Sequence, residues 1–203
     1  MKLLYLLNML RTLPCYLLIK LTGTQSVLEA DMHKFLWYIG VSTGGGQLHD
    51  DCLRGVFVRY LNRLLLRNRC FRNVVVYRVS CRKKVLGLCI RLLFPIKQDL
   101  ELHGQIGEGL AIYHGHGTIV NAHSVGKNFS VYQGVTIGKN PKPGKEIIMP
   151  IIGDNVTVYA NAVVAGGITI GDNVSIGAGA VVMKDVPADS VVIGNPCIIK
   201  PKK

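Results

Sequence analysis

From residue 106 to residue 187 an aliphatic side chain returns at six-residue steps: Ile106, Ile112, Val125, Val131, Ile137, Ile152, Val158, Val164, Ile170, Ile176 and Val182. Between Ile152 and Val182 the step is six without exception. An α-helix repeats near 3.6 residues and a strand at 2, so neither sustains this period. A six-residue repeat is one side of a triangular coil, a short strand followed by a turn, with the aliphatic residue pointing into the prism. Glycine, asparagine and aspartate gather just after it, as in Gly126-Lys127-Asn128, Gly153-Asp154-Asn155 and Gly171-Asp172-Asn173. These residues tolerate the left-handed backbone of a sharp corner. Ala160, Ala162, Ala178 and Ala180 let neighbouring coils or chains approach closely. The expected fold is therefore mainly β, a parallel β-helix.

The period breaks twice. Ile112 to Val125 is a step of 13, one residue more than two sides, and the surplus falls in the histidine-rich segment 114–123. Ile137 to Ile152 is a step of 15, with Pro141, Pro143 and Gly144 inside, which predicts a loop leaving the prism over 139–149. Interruptions of a regular scaffold are where binding groups usually sit. After Val186-Pro187 the period stops, and residues 188–203 are expected to leave the prism as a final strand or tail, with Lys202 and Lys203 frayed.

Residues 1–94 carry a different pattern and are expected to form an α-helical N-terminal domain, Pro95 marking its end and residues 95–187 the β-helix. Residues 1–21 are apolar, with Lys2, Arg11 and Lys20 at even steps. The uncharged run Leu3–Leu10 is too short to span a bilayer, and Arg11 and Pro14 fit a signal peptide poorly. Two readings stand: an interfacial amphipathic helix, or a helix packed on the rest of the protein. Thr22–Ser26 reads as a linker, and Ser26-Val27-Leu28-Glu29 as a capping box opening a helix that runs to about Tyr38. The glycines of 40–46 break it, and Asp50 or Asp51 caps the next helix, with Leu53, Phe57, Tyr60 or Leu61, and Leu64 on one face. Val74–Tyr77 reads as a buried helical turn.

The net charge of +12 is uneven: residues 51–98 hold twelve of the 24 basic residues against Asp51 alone. Such a patch suits phosphate or anionic lipid, or is a solvated helix face. Basic and aromatic residues do not interleave as in a nucleic-acid module, so no nucleic-acid partner is expected. The six cysteines form no CxxC pair and read as free thiols of a reducing, cytoplasmic compartment.

Residues 95–200 resemble the left-handed β-helix of the hexapeptide-repeat acyltransferases, in particular the serine acetyltransferase branch and its relatives that O-acetylate bacterial surface polysaccharides. The resemblance rests on the segments 112–120 (IYHGHGTIV) and 131–138 (VYQGVTIG) and on Gly194-Asn195-Pro196. It implies a left-handed coil, acetyl-CoA as acyl donor, no metal, and a homotrimer sharing its sites between subunits. It places His114 at the catalytic base and Asp99, fifteen residues earlier, as the carboxylate that orients it, the logic of a His–Asp pair. Tyr113 and Gln133 are the candidate acceptor contacts. Gly138, Lys139, Ala160, Ala178 and Lys184 match positions that hold coenzyme A. His116 is read as a corner residue, His103 and His123 as surface or turn residues, and His33 and His49 as structural.

The branch that acetylates serine carries an acid before the base and an Arg-His pair in the loop. Here Tyr113, Ile148 and Met149 stand at those positions. A strongly solvated amino acid binds poorly where its charges find no partner. The reading taken from the sequence is therefore an O-acetyltransferase acting on a polysaccharide sugar at the inner membrane surface, with Tyr113 stacking on the acceptor. Serine O-acetylation, a zinc carbonic anhydrase of the same fold and a non-catalytic scaffold are the alternatives. The histidine spacing does not fit the three-ligand zinc pattern.

Overall fold

The computed structural model describes residues 2–38, 50–141 and 146–202, with side chains undescribed at residues 2, 38 and 50–56. The glycine run of 40–46 and His49 lie outside the described residues. The chain divides into two compact units, residues 1–97 and 98–203.

The first unit contains α1 (Lys2–Thr22), α2 (Gln25–Tyr38), α3 (Asp50–Arg67), α4 (Arg69–Arg82) and α5 (Lys84–Leu93). Its core is Leu28, Met32, Phe35 and Leu36 of α2, Phe57, Leu61 and Leu64 of α3, and Phe71, Val74 and Val75 of α4. Phe35 meets Phe71 edge-on at 5.3 Å, a geometry favoured by the ring quadrupoles. The helix α2 opens one residue before the expected capping box. Leu28 N–H donates to the Thr24 carbonyl at 3.1 Å, the first bond of the helix. Thr24 is held beneath α1 by the Thr22 hydroxyl and by its own backbone bond to Ile19, so the linker shrinks to Gly23 and Thr24. At α4, Asn68 is the N-cap, its side chain accepting from Phe71 N–H at 2.9 Å.

The second unit is a parallel β-helix of left-handed type, described by thirteen strands. The first are β1 (Leu100–Ile106), β2 (Ala111–Ile112), β3 (Thr118–Val125), β4 (Ser130–Val131) and β5 (Thr136–Gly138). Then come β6 (Ile151–Ile152), β7 (Thr157–Val158), β8 (Val163–Ala165), β9 (Thr169–Ile170) and β10 (Ser175–Ile176). The last are β11 (Val181–Val182), β12 (Ser190–Ile193) and β13 (Ile198–Pro201). One face of the prism stacks β2, β4, β7, β10 and β12 in five levels, and β13 closes that sheet antiparallel to β12. A second face stacks the start of β3 on β5, β8 and β11. The third stacks the end of β3 on β6 and β9. The sixth-residue aliphatics form the buried column of each face, as in Ile112, Val131, Val158, Ile176 and Val192.

The corners explain the residues chosen for them. Asn128, Asn155 and Asn173 have φ of 58, 56 and 58°, the left-handed region that asparagine tolerates best after glycine. Their side chains stack by hydrogen bonds, Asn128 to Asn155 at 3.1 Å and Asn173 to Asp189 at 3.0 Å. Two residues before each asparagine the next coil comes too close for a Cβ. At Gly153 one would sit 2.2 Å from Asp172 Oδ1. That oxygen accepts the Asp154 N–H at 2.7 Å.

The first irregularity has a different composition from its net value. Ile112 pairs with Val131 and Val120 with Ile137, so the step from 112 to 120 is eight where the next coil takes six. Val125 pairs with Ile152, so the step from 120 to 125 is five where Val164 to Ile170 takes six. Two residues are inserted and one is deleted, and the sequence shows only the sum. The deletion makes β3 one continuous strand around what is elsewhere a corner. The C-terminus is also tied down at Lys202: its N–H donates to Asp189 O at 2.7 Å and its Nζ to Asn173 O at 3.2 Å.

Candidate active site

The two inserted residues build the turn His114-Gly115-His116-Gly117. His114, Gly115 and Gly117 all have positive φ, 65, 57 and 58°. Glycine adopts this region freely, but histidine does so at a cost, and such residues concentrate where function holds them. The Gly115 N–H donates to Tyr113 O at 2.8 Å, folding the turn back on itself. Beneath it the buried Thr118 hydroxyl bonds the carbonyls of His116 at 3.3 Å and Tyr132 at 3.2 Å. His114 and His116 both stand exposed at the edge.

Asp99 arrives from the residue before β1. Its carbonyl accepts the Thr118 N–H at 3.1 Å, which continues the β1–β3 ladder. Its carboxylate accepts the Gly117 N–H at 3.3 Å and lies 3.4 Å from His116 Nδ1. The sequence offset assigns Asp99 to His114; the structure brings it to the turn through His116 and Gly117. One carboxylate thus serves a turn holding two histidines. His116, read as a corner residue, also contacts this carboxylate. His103 and Glu101 pair 3.3 Å apart on exposed β1, and His123 is exposed on β3.

Directly below the turn runs a column of one residue per coil: His116, Gln133, Ala160, Ala178. Successive hydrogen bonds define it, Gly134 N–H to His116 O, Asn161 N–H to Gln133 O and Gly179 N–H to Ala160 O, at 2.7, 3.0 and 2.9 Å. The Gln133 amide oxygen is buried without a hydrogen-bond partner. Buried acceptors are nearly always satisfied, so Gln133 presents an acceptor for a donor group beside the histidine turn. Ala160 and Ala178 extend the column as a track of small residues.

Tyr113 opens a ladder of stacked rings. It is 8% exposed and stacks on Tyr132 at 4.6 Å, which stacks on Tyr159 at 5.1 Å. Tyr132 therefore covers one face of its ring. The ladder was detectable by coil arithmetic, since the three tyrosines follow Ile112, Val131 and Val158.

The remaining coenzyme candidates sit on the next edge of the prism. Gly138 pairs with Ala165 on β8, and a Cβ at Gly138 would meet nothing within 4 Å. The same register, with the Gly166 N–H bonded to Gly138 O at 3.1 Å, sets Lys139, Gly166 and Lys184 in one column. The returning arm of the loop lies against it. Asn140 N–H donates to Ile148 O at 3.0 Å, and a Cβ on Gly167 would fall 1.8 Å from Ile147 O. Ile148 and Met149 are half-buried there. So Ala160 and Ala178 share the histidine edge, whereas Gly138, Lys139 and Lys184 occupy another, six residues away along the chain.

Comparison with known proteins converges on one group. Residues 149–184 match the family described as bacterial transferase hexapeptide (six repeats). A serine acetyltransferase of Synechocystis sp. is 44% identical over 132 residues, covering 61% of this chain and 52% of that protein. One from Staphylococcus aureus (strain Mu50) is 45% identical over 129 residues, covering 61% of this chain and 60% of its own length. The chain thus spans between half and two thirds of these relatives. Among solved structures, the serine acetyltransferase of Neisseria gonorrhoeae superposes with a TM-score of 0.65 at 27% identity, covering 89% of this chain and 67% of that one.

Proposed function

We propose that this chain, whose repeat unit is a hexapeptide-repeat β-helix of the serine acetyltransferase branch, transfers the acetyl group of acetyl-CoA to an acceptor hydroxyl, with serine as the leading acceptor. The observation that supports the reading is the inserted turn, in which His114 stands exposed at positive φ two residues before His116, whose Nδ1 is 3.4 Å from the Asp99 carboxylate. The relatives supply the acceptor: those compared above are serine acetyltransferases, and one Neisseria gonorrhoeae structure is a complex with serine. This reverses the order drawn from the sequence, where a polysaccharide sugar came first. That order rested on the absence of charged partners for serine at Tyr113, Ile148 and Met149.

In the proposed reaction His114 takes the hydroxyl proton as the acceptor oxygen attacks the thioester carbonyl. The tetrahedral intermediate expels the CoA thiolate, which recovers the proton from the imidazolium. Asp99 offsets the imidazolium charge, directly or through His116. Gln133 accepts a hydrogen bond from the bound acceptor or from the coenzyme's amide-bearing arm. The thioester would lie along the column of Ala160 and Ala178. Lys139 and Lys184 suit the phosphates, and a homotrimer would bring their edge toward the histidine edge of the neighbouring subunit.

A second acceptor class keeps one specific support. Ile148 and Met149 are apolar where a charged amino acid would need partners, which favours a neutral hydroxyl such as a sugar's. The test is release of free CoA thiol from acetyl-CoA with serine, and separately with hexoses, N-acetylamino sugars and nucleotide sugars, with His114→Ala as control. Serine-dependent release lost in the control supports the first reading. Release with sugars alone reverses the acceptor, and release with none overturns the activity.

A further inference from the structure

The helix α1 is built inside out. Its packed side carries Asn8, Thr12, Cys15 and Ile19, all buried. Asn8 and Thr12 bond a single buried amide, Asn62 of α3, the Thr12 hydroxyl at 2.9 Å from Asn62 Oδ1. Its outward side carries Leu3, Leu6, Leu7, Leu10, Leu13, Leu17 and Leu21, each between 48% and 71% exposed. A surface helix of a soluble domain does the opposite, and contiguous apolar patches of this kind mark an interaction site. The helix α5 adds Val85, Leu88 and Leu92 at i, i+3, i+7, exposed by 56–77%. It lies against α1, where the Arg11 guanidinium bonds Leu93 O and covers the Phe94 ring at 4.6 Å.

The charge says what covers this face. Residues 1–97 hold sixteen basic and four acidic residues, and residues 98–203 hold eight of each, so the whole net charge of +12 belongs to the helical unit. Of its acids, Asp31 is buried against Arg78 at 2.8 Å and Glu29 is bonded by Gln25. A groove of 1130 Å³ between α1 and α3 joins the two properties, lined by Leu4, Leu6 and Met9 and by Arg59, Arg63 and Arg67. Those arginines are spaced four apart and so share a face of α3. An apolar floor beside a row of cations is complementary to an anionic amphiphile. A second copy of the chain would bring basic residues to basic residues. Although Leu3–Thr22 is long and apolar enough to cross a membrane, its bonds to Asn62 hold it alongside α3.

The geometry points to docking of the helical unit on an anionic lipid surface. The leucines of α1 enter the boundary between headgroups and acyl chains, and Arg59, Arg63 and Arg67 engage the phosphates. The test is flotation of the full chain with vesicles of phosphatidylcholine alone and of phosphatidylcholine mixed with phosphatidylglycerol, at low and high salt. The expected result is flotation with the mixed vesicles alone, lost at high salt. Each cation removed near the surface lowers partition about fivefold. Arg59→Gln, Arg63→Gln and Arg67→Gln together should therefore abolish flotation, as should Leu6→Gln, Leu10→Gln and Leu17→Gln together. Far-UV circular dichroism and CoA-thiol release, which these surface changes leave intact, confirm folding. Failure of the unaltered chain to float with mixed vesicles overturns the proposal. So does salt-independent flotation with both vesicle types, or an assembly in solution that the leucine variant disperses in place of any vesicle binding.

Discussion

Asp31 and Arg78 form a buried ion pair closed on both sides, Nε to Oδ2 at 2.8 Å and Nη2 to Oδ1 at 3.0 Å. Removing one partner of such a pair leaves a buried charge and costs about 3–5 kcal/mol. Asp31→Ala is therefore expected to lower the urea midpoint sharply. Replacing both residues by apolar ones should recover much of the loss, and equal loss in single and double variants would show that packing dominates. Cys15 is the other buried group with a clear consequence. Burial pushes its thiol up to about 12. The neutral form is the folded form, so the stability it contributes is complete below pH 9 and falls as pH rises from about 9 toward 12. At neutral pH, DTNB should modify exposed Cys81 in the folded protein and leave Cys15 untouched until denaturant is added. At the candidate site, His114→Ala should lower kcat by about 10²–10⁴-fold, and His116→Asn should lower it much less. The opposite ranking would transfer the role of base to His116, the histidine that Asp99 touches.

At the scale of the element, the repeat unit reduces to a stack of six-residue sides plus one inserted turn. The stack was legible because burial on a triangular coil writes itself directly into the spacing of Ile and Val, and because the corners demand glycine and asparagine at fixed offsets. The turn was half legible. A net surplus of one conceals an insertion of two and a deletion of one, and only the pairing of Val120 with Ile137 separates them. The inside-out α1 was not legible, because Asn62, the partner that turns its polar side inward, lies more than fifty residues away. Deleting His114 and Gly115 restores a six-residue step from Ile112 to Val120. It also removes two of the three left-handed residues of the turn, of which the histidine carries a cost of about 1–2 kcal/mol. The shortened protein should keep its Tm or gain, and lose CoA-thiol release entirely. A large fall in Tm would show instead that the turn is required for stacking the first coils.

At the scale of the whole molecule, charge and chemistry are segregated. The net charge lies wholly in residues 1–97, and every residue assigned to acetyl transfer lies in 98–203. The β-helix closes its own core: Ile106, Leu110, Ile112, Val120, Val125 and Phe129 fill the first coil, and β13 pairs with β12 across the last level. Nothing in that list is borrowed from the helices, so the fragment 98–203 should fold alone, with a β-rich circular dichroism spectrum and one cooperative thermal transition. Being electrically balanced and lacking the leucine face of α1, it should remain with the soluble fraction when mixed with phosphatidylglycerol vesicles. A fragment that aggregates or unfolds gradually would mean that the helical unit completes the core of the first coil, and the two units would then be one folding unit. A fragment that folds and also floats would move the lipid-binding surface onto the β-helix and away from α1.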